Sequence, residues 1–191
     1  MKRIALFASG SGSNAEQITT YFADRTDVTV SLILSNNPKA GVIDRARRLH
    51  IPVLLFDRTT FYSTDQITSI LQKQEIDLIV LAGFMWLMPG ELVRAFPNRI
   101  VNIHPALLPK YGGKGMYGHF VHEAVVKAGE VESGITIHYV NERYDEGQII
   151  FQASCPVLPT DTPEEVARKV QVLEHEHYPR VVGEVLAGIT H

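Results

Sequence analysis

The chain has 191 residues, of which 45% are hydrophobic and 20% charged, ordinary usage for one globular domain with a substantial core. A net charge of −3 argues against a nucleic-acid or anionic-membrane binder. The single cysteine, Cys155, rules out an intrachain disulfide and fits a reducing, cytoplasmic compartment.

Met1-Lys2-Arg3 opens an apolar run with the charge pattern of a weak signal peptide. The run is too short and leads straight into Gly and Ser, so a first core strand over residues 3–8 fits better. No segment approaches the length of a membrane span. Residues 14–23 read as a helix with Ile18, Tyr21 and Phe22 on one face. Strand follows at 28–34, helix at 42–49 with Arg45, Arg47 and Arg48 solvated, strand at 53–56 and helix at 60–72. Lys73, Glu75 and Asp77 read as a solvated face. Residues 77–82 form a nearly all-apolar strand, as expected when both faces are covered. A short helix at 89–96 has proline in its first turn. Strand 100–103 completes a βαβα series, the pattern of a parallel, Rossmann-like, doubly wound α/β sheet.

The second half changes character. Residues 105–118 are Gly- and Pro-rich loop, and 119–128 read as helix. Strands at 134–140 and 148–157 are joined by so short a connection that they must be antiparallel. Cys155 falls in the second of them, as a small buried apolar residue. A long helix over 162–186 begins with cap residues and an early proline, and Pro179 should kink or break it. The whole chain reads as a single domain, with a nucleotide-binding half over about residues 1–100 and a catalytic half after it.

Three motifs carry chemistry. Ser9-Gly10-Ser11-Gly12-Ser13-Asn14 joins the first strand to the first helix. Glycine lets the backbone turn tightly there, and the helix N-terminus offers free N–H groups to a phosphate. Gly10-x-Gly12-x-x-Ala15 also fits the loose dinucleotide fingerprint, but the second strand ends Leu34-Ser35-Asn36-Asn37 without the acidic residue a ribose requires. A single phosphate is preferred over NAD, and a tight turn with no ligand is the ordinary alternative. Leu81-Ala82-Gly83-Phe84-Met85-Trp86-Leu87-Met88 follows another apolar strand and could seat a flat aromatic ligand or simply pack the loop.

The third motif is Asn102-Ile103-His104-Pro105, with Asp145 downstream. Strand alternation puts Asn102 and His104 on one face, and Pro105 ends the strand just beyond them. Open α/β sheets bind ligands at that edge. A neutral donor beside an imidazole suits an oxyanion-bearing intermediate, although a loop cap and a satisfied polar niche would also account for the pair. His119-x-x-His122 and Glu174-His175-Glu176-His177 invite a metal, but neither has a third ligand at metal spacing.

Together these segments, with Ala106-Leu107-Leu108-Pro109, Asp145-Glu146-Gly147 and Val170-Gln171-Val172-Leu173-Glu174-His175, resemble the glycinamide ribonucleotide formyltransferase family in their order along the chain. The resemblance implies the formyltransferase fold and transfer of a formyl group from 10-formyltetrahydrofolate to the amine of glycinamide ribonucleotide, in purine biosynthesis. It implies that Asn102, His104 and Asp145 are catalytic. Gly12, Ser13 and Asn14 would hold the phosphate, and Gln171 and Glu174 the sugar and glycinamide. Met85, Trp86, Leu87 and Met88 would enclose the pterin, with Asn102, Asn141, Tyr144 and Asp145. No metal, nucleic acid or membrane is implied, and the protein would be a monomer or homodimer. Trp86 and Thr64 stand where many and some members, respectively, have Arg. Lys114-Gly115-Met116-Tyr117 looks like an insertion. A transfer-RNA formyltransferase, a formyltetrahydrofolate hydrolase and a non-catalytic folate- or nucleotide-binding module are the rival readings. The first two families carry a further domain.

Expecting a carboxylate beside an imidazole, we anticipate a raised pKa for His104, so that the ring enters the reaction protonated.

Overall fold

The computed structural model describes residues 1–190. Seven strands form one sheet in the order β3-β2-β1-β4-β5-β6-β7. The apolar runs Lys2–Phe7 (β1), Val28–Ser35 (β2), Val53–Leu55 (β3), Leu78–Leu81 (β4) and Ile100–His104 (β5) pair in parallel. β1, β4 and β5 are largely buried on both sides of the sheet, which explains their apolar runs, whereas the edge strand β3 leaves Leu55 exposed. Glu132–Tyr139 (β6) and Ile149–Pro156 (β7) add antiparallel strands beyond β5. β7 is an edge strand, and its alternating exposure leaves Cys155 half-buried rather than buried.

The helices pack as two layers. Ser13–Phe22 (α1), Val42–Arg48 (α2), His119–Lys127 (α6) and Pro163–Gly188 (α7) supply one face's core, which runs from Ile4 to Leu186. The other core is rich in aromatics: Phe7, Phe56, Phe61, Phe84 and Trp86 pack ring against ring. Among the described residues no helix is long and apolar enough to cross a membrane.

The structure corrects several expectations. The helix expected over 60–72 is two, Arg58–Ser63 (α3) and Gln66–Lys73 (α4). Asp57 caps the first, its side chain accepting from Thr60 N–H, and Thr64 leaves it in extended backbone. The expected 89–96 segment is Gly90–Ala95 (α5). α7 continues through Pro179, which is buried beside Tyr178, Val181 and Val182. Packing on both sides outweighs the one hydrogen bond that proline removes. The Tyr178 hydroxyl donates to the carbonyls of Leu81 (2.8 Å) and Val101 (3.3 Å), tying α7 to the C-terminal end of β4 and to the start of β5. Tyr21 is exposed, whereas Ile18 and Phe22 are buried. Asp77 is buried, not solvated, and accepts from Arg3 N–H at 2.7 Å. Arg45 is half-buried and paired with Glu16.

Candidate active site

Strand order reverses between β1 and β4, since the chain winds outward through β2 and β3 and then through β4 and β5. The loops leaving β1 and β4 therefore part above the sheet, which is where such folds open a cleft. At their roots the two loops are fastened to each other. Ser9 N–H donates to Gly83 O at 2.9 Å, and Met85 N–H donates to Ser9 Oγ at 3.1 Å. Gly12 takes the left-handed conformation (φ 78°), and a Cβ there would lie 2.5 Å from Val42. Only glycine suits this turn.

A cavity of about 710 Å³ opens over this edge. Gly12, Ser13 and Asn14 line it, with Gln171 and Glu174 of α7. Asn14 Nδ2 donates to Glu174 Oε2 at 2.9 Å, so the turn and the helix meet. Burial pushes the Glu174 carboxyl up, and the Asn14 bond only partly offsets it. Met85, Trp86, Leu87 and Met88 also line the cavity, with Tyr144. Asn141 stands apart from the lining; its side chain accepts from Arg143 N–H at 2.9 Å. The loop 113–118 closes over the cavity, with Lys114 and Tyr117 exposed on the lining and Met116 packed against the core.

Asn102, His104 and Asp145 line the same cavity. His104 Nδ1 lies 3.5 Å from Asp145 Oδ2, and both side chains are largely buried. Asp145 holds φ 55°, a conformation tolerated by Asp more than by most side chains, and its Oδ2 accepts from Gly113 N–H at 2.9 Å. His104 Nε2 is 2.7 Å from Tyr111 O. A carbonyl only accepts, so Nε2 carries a proton and the neutral ring leaves Nδ1 bare toward Asp145.

The protonation of His104 runs against expectation. Burial lowers its pKa from 6.5, outweighing the opposing pull of Asp145 and of the Tyr111 carbonyl; His138 adds to the lowering. Expectation counted the carboxylate and missed the desolvation, because sequence shows a neighbour more readily than a wall. Asp145 is itself held below 3.8. Burial opposes this, and the neighbouring His138 ring, with Nε2 3.6 Å from Oδ1, the His104 ring and the Gly113 N–H overcome it.

Two residues central to this geometry went unread in the sequence. His138 lies directly across from Asn102, and Thr136 across from His104. His138 Nδ1 is 2.9 Å from Tyr139 O and so donates to it, leaving Nε2 to accept from Asn102 Nδ2 at 3.2 Å. That bond fixes the Asn102 amide and leaves one of its N–H groups for a ligand. Thr136 Oγ1 donates to Ala106 O (2.7 Å) and accepts from Leu108 N–H (3.0 Å), pinning the loop after β5. The available signal was the alternation Ile135-Thr136-Ile137-His138, polar residues on one face of a strand expected to be buried. His122 also lines the cavity, buried, with Nδ1 lacking a hydrogen-bond partner. Among the described residues no three His, Cys, Asp or Glu side chains gather as metal ligands.

Residues 2–182 match the family described as formyl transferase. A chloroplastic phosphoribosylglycinamide formyltransferase of Arabidopsis thaliana is 44% identical over 190 residues, covering 96% of this chain and 65% of that protein. Its Vigna unguiculata counterpart, also 44% identical, is covered over 60% of its length, so the chain spans less than two-thirds of either plant protein. The Bacillus subtilis phosphoribosylglycinamide formyltransferase is 37% identical over 97% of this chain and 95% of its own. Among solved structures, glycinamide ribonucleotide transformylase 1 from Symbiobacterium toebii superposes with a TM-score of 0.89 at 34% identity, covering 100% of this chain and 91% of that one. A Bacillus halodurans phosphoribosylglycinamide formyltransferase gives 0.87 at 37% identity, covering 98% and 96%.

Proposed function

The chain belongs to the formyl transferase family, and we propose that it transfers the formyl group of 10-formyltetrahydrofolate to the amine of glycinamide ribonucleotide, a step of purine biosynthesis. The observation that carries this reading is one cavity lined together by a glycine-rich helix N-terminus, an apolar loop and the cluster Asn102, His104 and Asp145. The cavity suits the folate co-substrate: apolar side chains of 84–88 would cover its ring system, and the polar cluster would meet its reacting end. Gly12, Ser13 and Asn14 would hold the nucleotide's phosphate, and Gln171 and Glu174 its sugar and glycinamide. Arg143 and Tyr144 line the cavity, whereas Asn141 does not.

The chemistry follows from the protonation states. As the amine adds to the formyl carbon, the carbonyl oxygen gains negative charge, and Asn102 donates its free N–H to it. The amine must shed a proton. Bare Nδ1 of His104 and the Asp145 carboxylate, 3.5 Å apart, both lack one and would share it. The same pair returns a proton to N10 of the leaving folate. Holding both substrates in one cavity makes the attack effectively unimolecular.

The protein is read as working in the cytoplasm, as a monomer or homodimer, with no nucleic-acid or membrane partner. The test is acceptor choice. With 10-formyltetrahydrofolate as donor, turnover is expected with glycinamide ribonucleotide and not with transfer RNA or water. Preferred turnover with water would make the protein a hydrolase; none with any acceptor would make it a binding module.

A further inference from the structure

We propose that Arg45 is a positioning residue for nucleotide phosphate, holding the Ser11–Gly12 peptide so that the Gly12 N–H faces the ligand. The inference rests on the reading of residues 12–14 as the phosphate site. Arg45 lies on α2, outside the cavity lining. Its Nε donates to Ser11 O at 2.8 Å, and its Nη1 bonds Glu16 Oε2 on α1. One guanidinium therefore grips both flanks of the turn, its carbonyl before Gly12 and a carboxylate one helical turn after it.

The orientation follows from peptide geometry. The Ser11–Gly12 bond is trans, so its C=O and N–H point in opposite directions. With the carbonyl held toward Arg45, the Gly12 N–H is directed away from it. No acceptor within the described residues takes that N–H. Gly12 lines the cavity, beside the free N–H groups at the start of α1.

Two backbone contacts keep Arg45 in reach. Val42 N–H donates to Gly10 O at 3.1 Å, and a Cβ on Gly41 would lie 3.3 Å from Ser11 Cα, so the start of α2 lies directly against the turn. Without the guanidinium, the Ser11 peptide can rotate and present its carbonyl oxygen to an anion. The charge contributes as well, because a cation behind the turn favours a phosphate dianion in front of it. Arg48 also reaches Glu16, at 3.1 Å, but makes no bond to the turn, so it serves as an internal control.

The experiment measures binding of glycinamide ribonucleotide, ribose 5-phosphate and a folate analogue separately by calorimetry, with steady-state kinetics alongside. Arg45→Gln is expected to weaken both phosphorylated ligands by about 10- to 100-fold, the scale of one lost hydrogen bond to a charged group. Folate affinity and kcat at saturating nucleotide should stay within about threefold. Arg45→Lys keeps the charge but cannot grip both partners, and should recover part of the loss. Glu16→Gln and Arg48→Gln leave the Ser11 bond in place and should bind phosphate as the wild type does. Equal loss in Glu16→Gln, parallel loss of folate binding, or unchanged phosphate binding in Arg45→Gln would each overturn the proposal. Wild type that binds no phosphorylated ligand would overturn it too. Wild type that binds ribose 5-phosphate, with the Arg45 effect intact, but formylates no nucleotide would sink the functional reading alone.

Discussion

At the scale of single residues, the site is governed by a contest between burial and charge at His104. Burial wins and holds the ring neutral below its ordinary 6.5, while Asp145 pulls the other way. Turnover should therefore fall as pH drops through the lowered His104 value, because a protonated ring can no longer take the amine's proton. Asp145→Asn removes the one charge that supports the imidazolium, so the acid limb should move to lower pH. The same substitution should reduce kcat by ~10²–10⁴, the usual scale for acid–base assistance. NMR titration of the His104 ring beside a pH–kcat profile checks both. A limb that moves to higher pH, or near-wild-type turnover, would reject the coupling. Asn102 and His104 were legible because strand alternation and a terminating proline leave few options. His138 was not, because its role depends on lying across from Asn102, and pairing register between strands is absent from local sequence.

At the scale of elements, the turns between strands and helices decide where ligands approach. The β1–α1 turn was readable from Gly10 and Gly12, since a left-handed residue before a helix is a local demand. Its dependence on α2 was not, because Val42 meets Gly12 only in the folded chain. Gly12→Val should therefore act on stability before binding. Left-handed strain and overpacking against Val42 together should cost about 2–5 kcal/mol, read by chemical denaturation. A variant as stable as the wild type would contradict this close approach. α7 makes the complementary case. Cap residues and an early proline at its start were legible in sequence, and the structure makes Thr162 and Glu165 a capping box, but its persistence through Pro179 comes from burial on the sheet. Tyr178→Phe leaves the Leu81 and Val101 carbonyls without that donor, and should cost about 1–3 kcal/mol. No change in the denaturation midpoint would mean that the hydroxyl does not hold the helix there.

At the scale of the whole molecule, one sheet and one helical core run through both halves of the chain. The nucleotide and folate halves are thus expected to unfold together, as a single domain. Far-UV circular dichroism and the fluorescence of Trp86 should give coincident urea transitions; separate midpoints would divide the chain. Acid should weaken the fold. Folded His104 binds its proton less readily than the unfolded chain does, so its contribution to stability is full above 6.5 and is lost as pH falls through the folded value. Asp145 acts in the same sense: its contribution is full above 3.8 and lost as pH falls through its own lowered value. Fold class was legible from the βαβα pattern and the apolar runs, whereas the folding-over of loop 113–118 was not, because glycines at 113, 115 and 118 permit many paths. The central claim is formyl transfer within this one cavity, and the most direct measurement follows a ¹³C-labelled formyl group by NMR. The expected result is label moving from the folate to the amine of glycinamide ribonucleotide in the wild type, with transfer strongly reduced in Asn102→Ala. Label released as formate, or transfer undiminished in that variant, would contradict it.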